Sequence, residues 1–343
     1  MKYWFILIFL SLSFSLLAQD FHFTQFYASP LNLNPALTGA FSGKYRVAMV
    51  YRDQWRGVSS APFQTYSGAI DLRFPVNDKK VKKDVVAVGM VFNSDRSNVL
   101  NFSSNSILLS GSFTKCLDTY NSQFLSVGLQ GGIGQRNINF DNLNFPNQFN
   151  GIDRYNLTSN EQFPTNNFAY PDLSTGVNYA STPRRNTSIF AGVSVQHLFS
   201  PNISFYDKLK GGTKNLERKY VAHVGAQLPA GFRNSFMPRA YLAVQGNHAQ
   251  LNLGSNLRLQ FSDYGSTAFH VGGWLRTVRN TNTVGFDAAA VLLGFELDNF
   301  LLGFSYDLNI CGLSAYGRNQ NAFEISLGYL GEYENDAILC PKF

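Results

Sequence analysis

From residue 44 to residue 330, apolar and polar side chains alternate with a period of two, in about fourteen runs separated by turn-forming residues. Tyr45, Val47, Met49 and Tyr51 alternate with Arg46, Ala48 and Val50, and Arg52 follows. Tyr66, Ile70, Leu72 and Phe74 likewise oppose Ser67, Asp71 and Arg73. Leu251, Leu253, Leu257, Leu259 and Phe261 alternate with Asn252, Gly254, Asn256, Arg258 and Gln260. Successive side chains of a strand point to opposite faces, so the pattern predicts strands lying between two different environments. The runs lie near 44–54, 63–74, 85–93, 102–113, 123–135, 172–180, 187–198, 218–228, 238–248, 250–261, 267–277, 283–293, 299–308 and 321–330. Most span about 8–12 residues, longer than the roughly 5–6 usual in soluble domains and close to the about 9–11 of a strand tilted across a bilayer.

The chemistry of the two faces identifies the two environments. Only 15% of residues are charged, against about 25% in globular domains. The polar face is Ser, Asn, Gln and Gly with isolated Arg or Asp, not the Lys and Glu of a soluble sandwich. It suits a wet lumen, and the Leu, Val, Tyr and Phe face suits lipid with aromatic girdles. An open sheet edge in hydrocarbon leaves backbone groups unpaired at several kcal/mol each. The expectation is therefore an all-β, closed, antiparallel transmembrane barrel of about 14 strands. Connection lengths orient it: the two longest, near 136–171 and 199–217, are both odd-numbered, as outward-facing loops should be. The ninth, around Asn247 to Gln250, is short and breaks the trend.

The ends read differently. Residues 1–18 have the layout of a secretory signal peptide, with Lys2, an apolar stretch and Ala18 before Gln19. Residues 19–42 contain Asn34-Pro35 and Gly39, turn formers that argue against a long helix. This segment either plugs the barrel or lies along its periplasmic rim. Residues 43–330 are the barrel, and 331–343 a periplasmic tail, either frayed or in contact with a partner. Cys116, Cys311 and Cys340 match no metal spacing; at most one pair forms a disulfide, with Cys116 and Cys340 on the same side.

Motifs succeed one another along nearly the whole chain. Phe23-Thr24-Gln25-Phe26-Tyr27 is followed by Leu31-Asn32-Leu33-Asn34-Pro35-Ala36-Leu37-Thr38-Gly39, and then by Tyr51-Arg52-Asp53-Gln54-Trp55. Later come Pro171-Asp172-Leu173-Ser174-Thr175-Gly176, Gly192-Val193-Ser194-Val195-Gln196-His197, Gly303-Phe304-Ser305-Tyr306-Asp307 and Glu324-Ile325-Ser326-Leu327. This succession resembles the PorP/SprF family of outer-membrane barrels associated with type IX secretion and gliding motility in Bacteroidota. Leu37-Thr38 departs from the commoner aromatic-Ala before the glycine. The resemblance implies an integral outer-membrane barrel, without enzymatic activity, that helps export or display a partner. The implied cargo is a surface adhesin with a C-terminal secretion signal, and the implied neighbours are components of the same machine. A passive diffusion channel is the alternative.

Candidate partner- or plug-binding residues fall in three places. Gln25, Asn34, Pro35 and Gly39 lie in the N-terminal segment. Arg46, Arg52, Asp71 and Arg73 face inward on the first two strands, as a ladder of paired charges or as a docking surface. At the outer end of the first strand, Gln54 and Trp55 read as girdle residues or as contacts to cargo or plug. The long loop carries many aromatics, among them Phe145, Phe149, Tyr155, Phe168 and Tyr170, which either cover the mouth or bind an extracellular protein. Lys79, Lys80, Lys82 and Lys83 form a basic turn that is merely solvated or meets an acidic partner or lipid headgroups.

Other chemistry finds no support in the residues. The charge footprint does not fit a nucleic-acid binder. The five histidines include no HxH or HExxH pair, so no metal is expected. Gly128-Leu-Gln-Gly-Gly-Ile-Gly134 superficially resembles a phosphate loop but lies within a period-two run and precedes no helix. No cofactor is expected.

Overall fold

The computed structural model describes residues 20–57, 62–76, 82–97, 102–140, 145–155, 157–158, 164–184, 186–206, 214–261, 267–279, 284–310 and 321–331. Residues 1–18, the tail beyond Gly331, Lys79, Lys80, Cys311 and Cys340 lie outside that set. Among the described residues are fourteen strands: β1 (Tyr45–Gln54), β2 (Phe63–Pro75), β3 (Val85–Ser97), β4 (Phe102–Cys116), β5 (Gln123–Ile138), β6 (Asn167–Arg184), β7 (Thr187–Gln196), β8 (Lys219–Ala230), β9 (Asn234–Gln245), β10 (His248–Gln260), β11 (Ala268–Arg279), β12 (Val284–Leu297), β13 (Phe300–Asn309) and β14 (Ala322–Gly331). Each pairs antiparallel with its sequence neighbours, and β1 closes on β14 from Tyr45↔Gly331 to Gln54↔Ala322. Closure leaves no edge, as hydrocarbon requires.

The alternation holds in the wall. Met49, Ile70, Leu72, Phe92, Leu109 and Val193 are exposed on the outside, while Arg46, Arg52, Asp71, Asn93 and Ser194 are buried inside. Several strands run longer than the sequence pattern suggests, and one difference bears on the site. The outer loop expected over 136–171 begins later and ends earlier, because Arg136↔Phe168 and Asn137↔Asn167 still pair. Phe168 and Tyr170 are thus wall residues of β6, not loop residues. Here Phe168 and Tyr170 turn inward and pack against Phe205, Ile203 and Leu216 of the connection after β7, so apolar side chains stand on the lumen face and the apolar-out, polar-in pattern is lost while the backbone ladder persists.

An even strand number puts the start of β1 and the end of β14 at one end of the barrel. The long connections 139–166 and 197–218 lie at the other end, which is outward by the length rule. Residues 20–43 run down the lumen from the outer half to the start of β1. They fold as short pieces: a 3-10 turn at Phe26–Ala28, a single helical turn α1 (Pro30–Leu33) and a 3-10 turn at Pro35–Leu37. Leu31, Ala36, Asn34 and Thr38 are wholly enclosed. This plug contacts every side of the wall.

Candidate functional site

Short turns leave peptide groups without intrasegment partners, so the plug must take its hydrogen bonds from the wall. In its outer half these come from charged side chains. Glu324 on β14 accepts from the Thr24 and Gln25 N–H groups through its two oxygens, at 2.7 and 2.8 Å. Thr24 Oγ1 donates to Asp307 Oδ2 at 2.7 Å. It also accepts from Arg52 at 3.2 Å and Arg276 at 3.1 Å. Arg52 pairs with both Glu324 and Asp307, while Arg276 pairs with Asp307 at 2.9 Å and Asp287 at 2.6 Å. Beside this node the Gln25 amide donates to Ser305 at 3.2 Å and accepts from Ser326 at 2.7 Å. Two arginines and three carboxylates thus share one mostly enclosed cluster around a plug threonine. Such charges are tolerated only because each is matched and hydrogen-bonded.

Next come aromatic rings. Phe26 stacks on Tyr241 at 5.1 Å and meets Trp274 edge-on at 5.3 Å. Tyr27 lies against Trp274 at 5.7 Å, with the Arg239 guanidinium 4.2 Å over its ring. Contacts of this kind contribute roughly 0.5–1.5 kcal/mol each beyond burial.

The inner half uses neutral groups and close approach. Asn34 Nδ2 reaches the backbone carbonyls of Val177 at 3.0 Å and Val193 at 3.2 Å, and lies 3.2 Å from His223 Nε2. Its Oδ1 accepts from the Ala36 N–H at 2.9 Å, which fixes the turn. The wall lacks side chains where this turn touches it. A Cβ on Gly176 would collide with the Asn34 amide, and one on Gly128 with the Pro35–Ala36 backbone. Ser194 and Gln196 donate to the Leu33 and Asn32 carbonyls at 2.9 and 2.7 Å. Asn32 and Asn93 exchange amide hydrogen bonds at 2.8 and 2.9 Å.

The end of the plug is clamped by Asp71. Arg46 binds it bidentately, at 2.9 and 2.7 Å, and also donates to the Leu37 carbonyl at 3.0 Å. Asp71 accepts the Gly39 N–H at 2.7 Å. Gly39 has φ +71°, the left-handed region where glycine is preferred.

At the outer mouth Asp20 forms a latch. Its carboxylate lies 2.6 Å from His197 Nε2 and 3.8 Å from Lys219, and His197 Nδ1 lies 3.0 Å from Asp172. Burial alone would lower the His197 imidazole, but Asp20 and Asp172 outweigh it and raise its pKa to about 10. Burial would raise the Asp20 carboxyl, but His197 and Lys219 hold it well below the usual carboxylate range. Beside the latch is a cavity of about 160 Å³, bordered by Asn93, Asp95, Arg136 and Tyr170.

The structure brings together Gln25, Asn34, Pro35, Gly39, Arg46, Arg52 and Asp71, as plug and as wall. Gln54 accepts from Arg52 at 3.5 Å, at the edge of the ionic node. Arg73 borders a small space beside Gly39 and Ala40. Trp55 packs edge-on against Phe63 at 5.4 Å at the outer rim, away from the plug. Phe149 and Tyr155 pair within the outer loop, ring to ring at 5.2 Å, and Phe145 precedes the 3-10 turn Pro146–Gln148 that leads into Phe149. The sequence shows Asp307, Glu324 and His197 within motifs but assigns them no plug contact, and it does not single out Arg276 or Asp20. The available signal was a carboxylate or cation at an inward strand position, which few lumen positions carry.

A family model described as type IX secretion system membrane protein PorP/SprF matches residues 15–329. No curated protein matches. Among solved structures, a Pseudomonas aeruginosa FadL homologue is 10% identical over 86% of this chain and 92% of that one, with a TM-score of 0.49. The Ralstonia pickettii toluene transporter TbuX is 9% identical over 89% and 93%, with a TM-score of 0.46. CdiB from Acinetobacter baumannii is 8% identical over 83% of this chain and 60% of that one, with a TM-score of 0.45. The chain therefore spans less than two thirds of CdiB. These likenesses are to barrels and concern the fold alone.

Proposed function

Since this chain belongs to the PorP/SprF family of type IX secretion system membrane proteins, we propose that it is a plugged accessory barrel that binds a secreted adhesin, or its C-terminal signal, for export and surface anchoring in gliding motility. It is an outer-membrane barrel, and its proposed role is non-enzymatic. The observation that carries this reading is the filled lumen. A diffusion channel needs a continuous water path, whereas here buried side chains and plug backbone hold one another across the whole bore. A filled bore makes the outer mouth a closed cup, a shape suited to holding a partner. The described residues of the connections after β5 and β7 stand at that mouth. Half-exposed Phe149 and Tyr155 offer apolar contact there. Other type IX components and membrane lipid are the remaining proposed partners.

Affinity purification of the tagged full chain from envelopes in mild detergent tests the reading. A surface protein bearing a C-terminal secretion signal should be retained. That protein should be lost when Phe149→Ala and Tyr155→Ala are combined. Retention of no surface protein or secretion component would count against the proposal.

A further inference from the structure

The end of the barrel opposite the cup is electrically lopsided. The turns joining β2 to β3, β4 to β5, β6 to β7 and β8 to β9 form one arc of that rim. On or beside them sit Lys82, Lys83, Lys115, Arg184 and Arg233. Carboxylates moderate the charge: Asp84 pairs with Lys115 at 2.6 Å, Asp118 accepts from Ser122 at 2.6 Å, and the sequence places Asp78 in the β2–β3 turn beside Lys79 and Lys80. The turns after β10 and β12 contain Asp263 and Asp298 and neither Lys nor Arg. Among the turns that join strands at this rim, Lys and Arg thus occur on the one arc.

Two aromatic rings project from the same arc. Phe232, at the tip of the turn Gly231-Phe232-Arg233, is fully exposed, and Tyr120 is 85% exposed. Both lie in turns beyond the strand ends, whereas Tyr45 and Tyr329 pack at 5.9 Å on the strands themselves. The ladder between β7 and β8 ends at Ser188↔Gln227. The hairpin tip therefore extends past β7, carrying Phe232 clear of the wall. Exposed rings within a cationic field are the composition of a protein-binding surface, where aromatics supply the anchors and charges supply orientation.

We propose that this basic arc, anchored by Phe232 and Tyr120, docks an acidic periplasmic protein. The proposal rests on the short-turn end facing the periplasm and not on cargo binding at the cup. Phospholipid headgroups share the anionic chemistry. They surround the barrel evenly, however, whereas these cations occupy one arc and the rings project from turn tips.

The test places a photo-crosslinking phenylalanine analogue at Phe232, at Tyr120 and, beside the β12–β13 turn across the rim, at Phe300, in the full chain in intact cells. Positions 232 and 120 should give adducts with an acidic periplasmic protein, and position 300 should not. Combining Arg184→Glu with Arg233→Glu should reduce those adducts by about fivefold, while adducts from position 149 in the outer loop are unchanged. Arg233→Glu alone should act in the same direction, which covers a double variant that fails to fold. Lipid adducts only, no adducts, or protein adducts indifferent to charge reversal would overturn the proposal.

Discussion

The two halves of the plug are held by different physics. Residues 20–28 bind chiefly through ionised side chains and rings, around Arg52, Asp307, Glu324, Trp274 and His197. Residues 30–40 bind chiefly through amides, hydroxyls and bare backbone, where Gly128 and Gly176 let the chain come close, and are closed at their end by the Arg46–Asp71 pair. A charge cluster tolerates small displacements but not the loss of one member. A close-packed backbone contact tolerates loss of a hydrogen bond better than added volume. The difference implies that the halves fail under different substitutions.

The largest effect is expected at Arg52. Arg52→Ala leaves Glu324 and Asp307 facing each other in an enclosed site, and removal of one partner from a buried pair costs about 3–5 kcal/mol. Thermal unfolding in detergent should show the loss, and proteolysis should reach the plug. Unchanged stability would mean the node is dispensable.

The other half should respond to volume. Gly176→Ala places a methyl against the Asn34 amide, and overpacking of this sort costs about 1–3 kcal/mol. Gly68→Ala, with no neighbour in reach, is the matched control and should be silent. If both glycine variants unfold alike in a chemical denaturation series, the wall is not thinned for the plug.

Asn34→Ala removes the amide that reaches two wall carbonyls and strands the Ala36 N–H, at a cost of about 1–3 kcal/mol. Thr38→Ala, which loses a single hydroxyl shared between Ser110 and the Pro35 carbonyl, should cost less. Denaturant midpoints of the two variants, measured side by side, test this order.

The smallest effect is a pH dependence at the latch. The His197 pKa is raised from 6.5 to about 10, so its contribution is complete below 6.5 and is lost as pH rises toward 10. Asp20 is shifted down from 3.8, so its contribution holds above that value and is lost in stronger acid. Stability should therefore fall between pH 6.5 and 10 in the native chain, and this decline should shrink in His197→Gln. An equal decline in both would remove the latch from the interface.

The wall was legible because the membrane enforces a period of two wherever it touches the strands. It was illegible at Arg136–Ile138 and Asn167–Pro171, where inward Phe168 and Tyr170 pack against Phe205, Ile203 and Leu216 of a distant connection. The plug motifs were visible as motifs, yet their partners were not. Glu324 and Asp307 lie about three hundred residues from Thr24, and nothing local marks which inward carboxylate a plug will meet. Gly128 shows the limit clearly. As part of a glycine-rich string it suggested phosphate and was set aside, while its role, room for Pro35, belongs to a contact between distant segments.

Single-channel recording in planar bilayers tests most directly whether residues 20–43 close the bore. The native protein should insert as a silent barrel, and Arg52→Ala should introduce intermittent openings. A steady, ohmic conductance from the native protein, unchanged by Arg52→Ala or Gly176→Ala, would contradict a lumen closed by its own N-terminal segment.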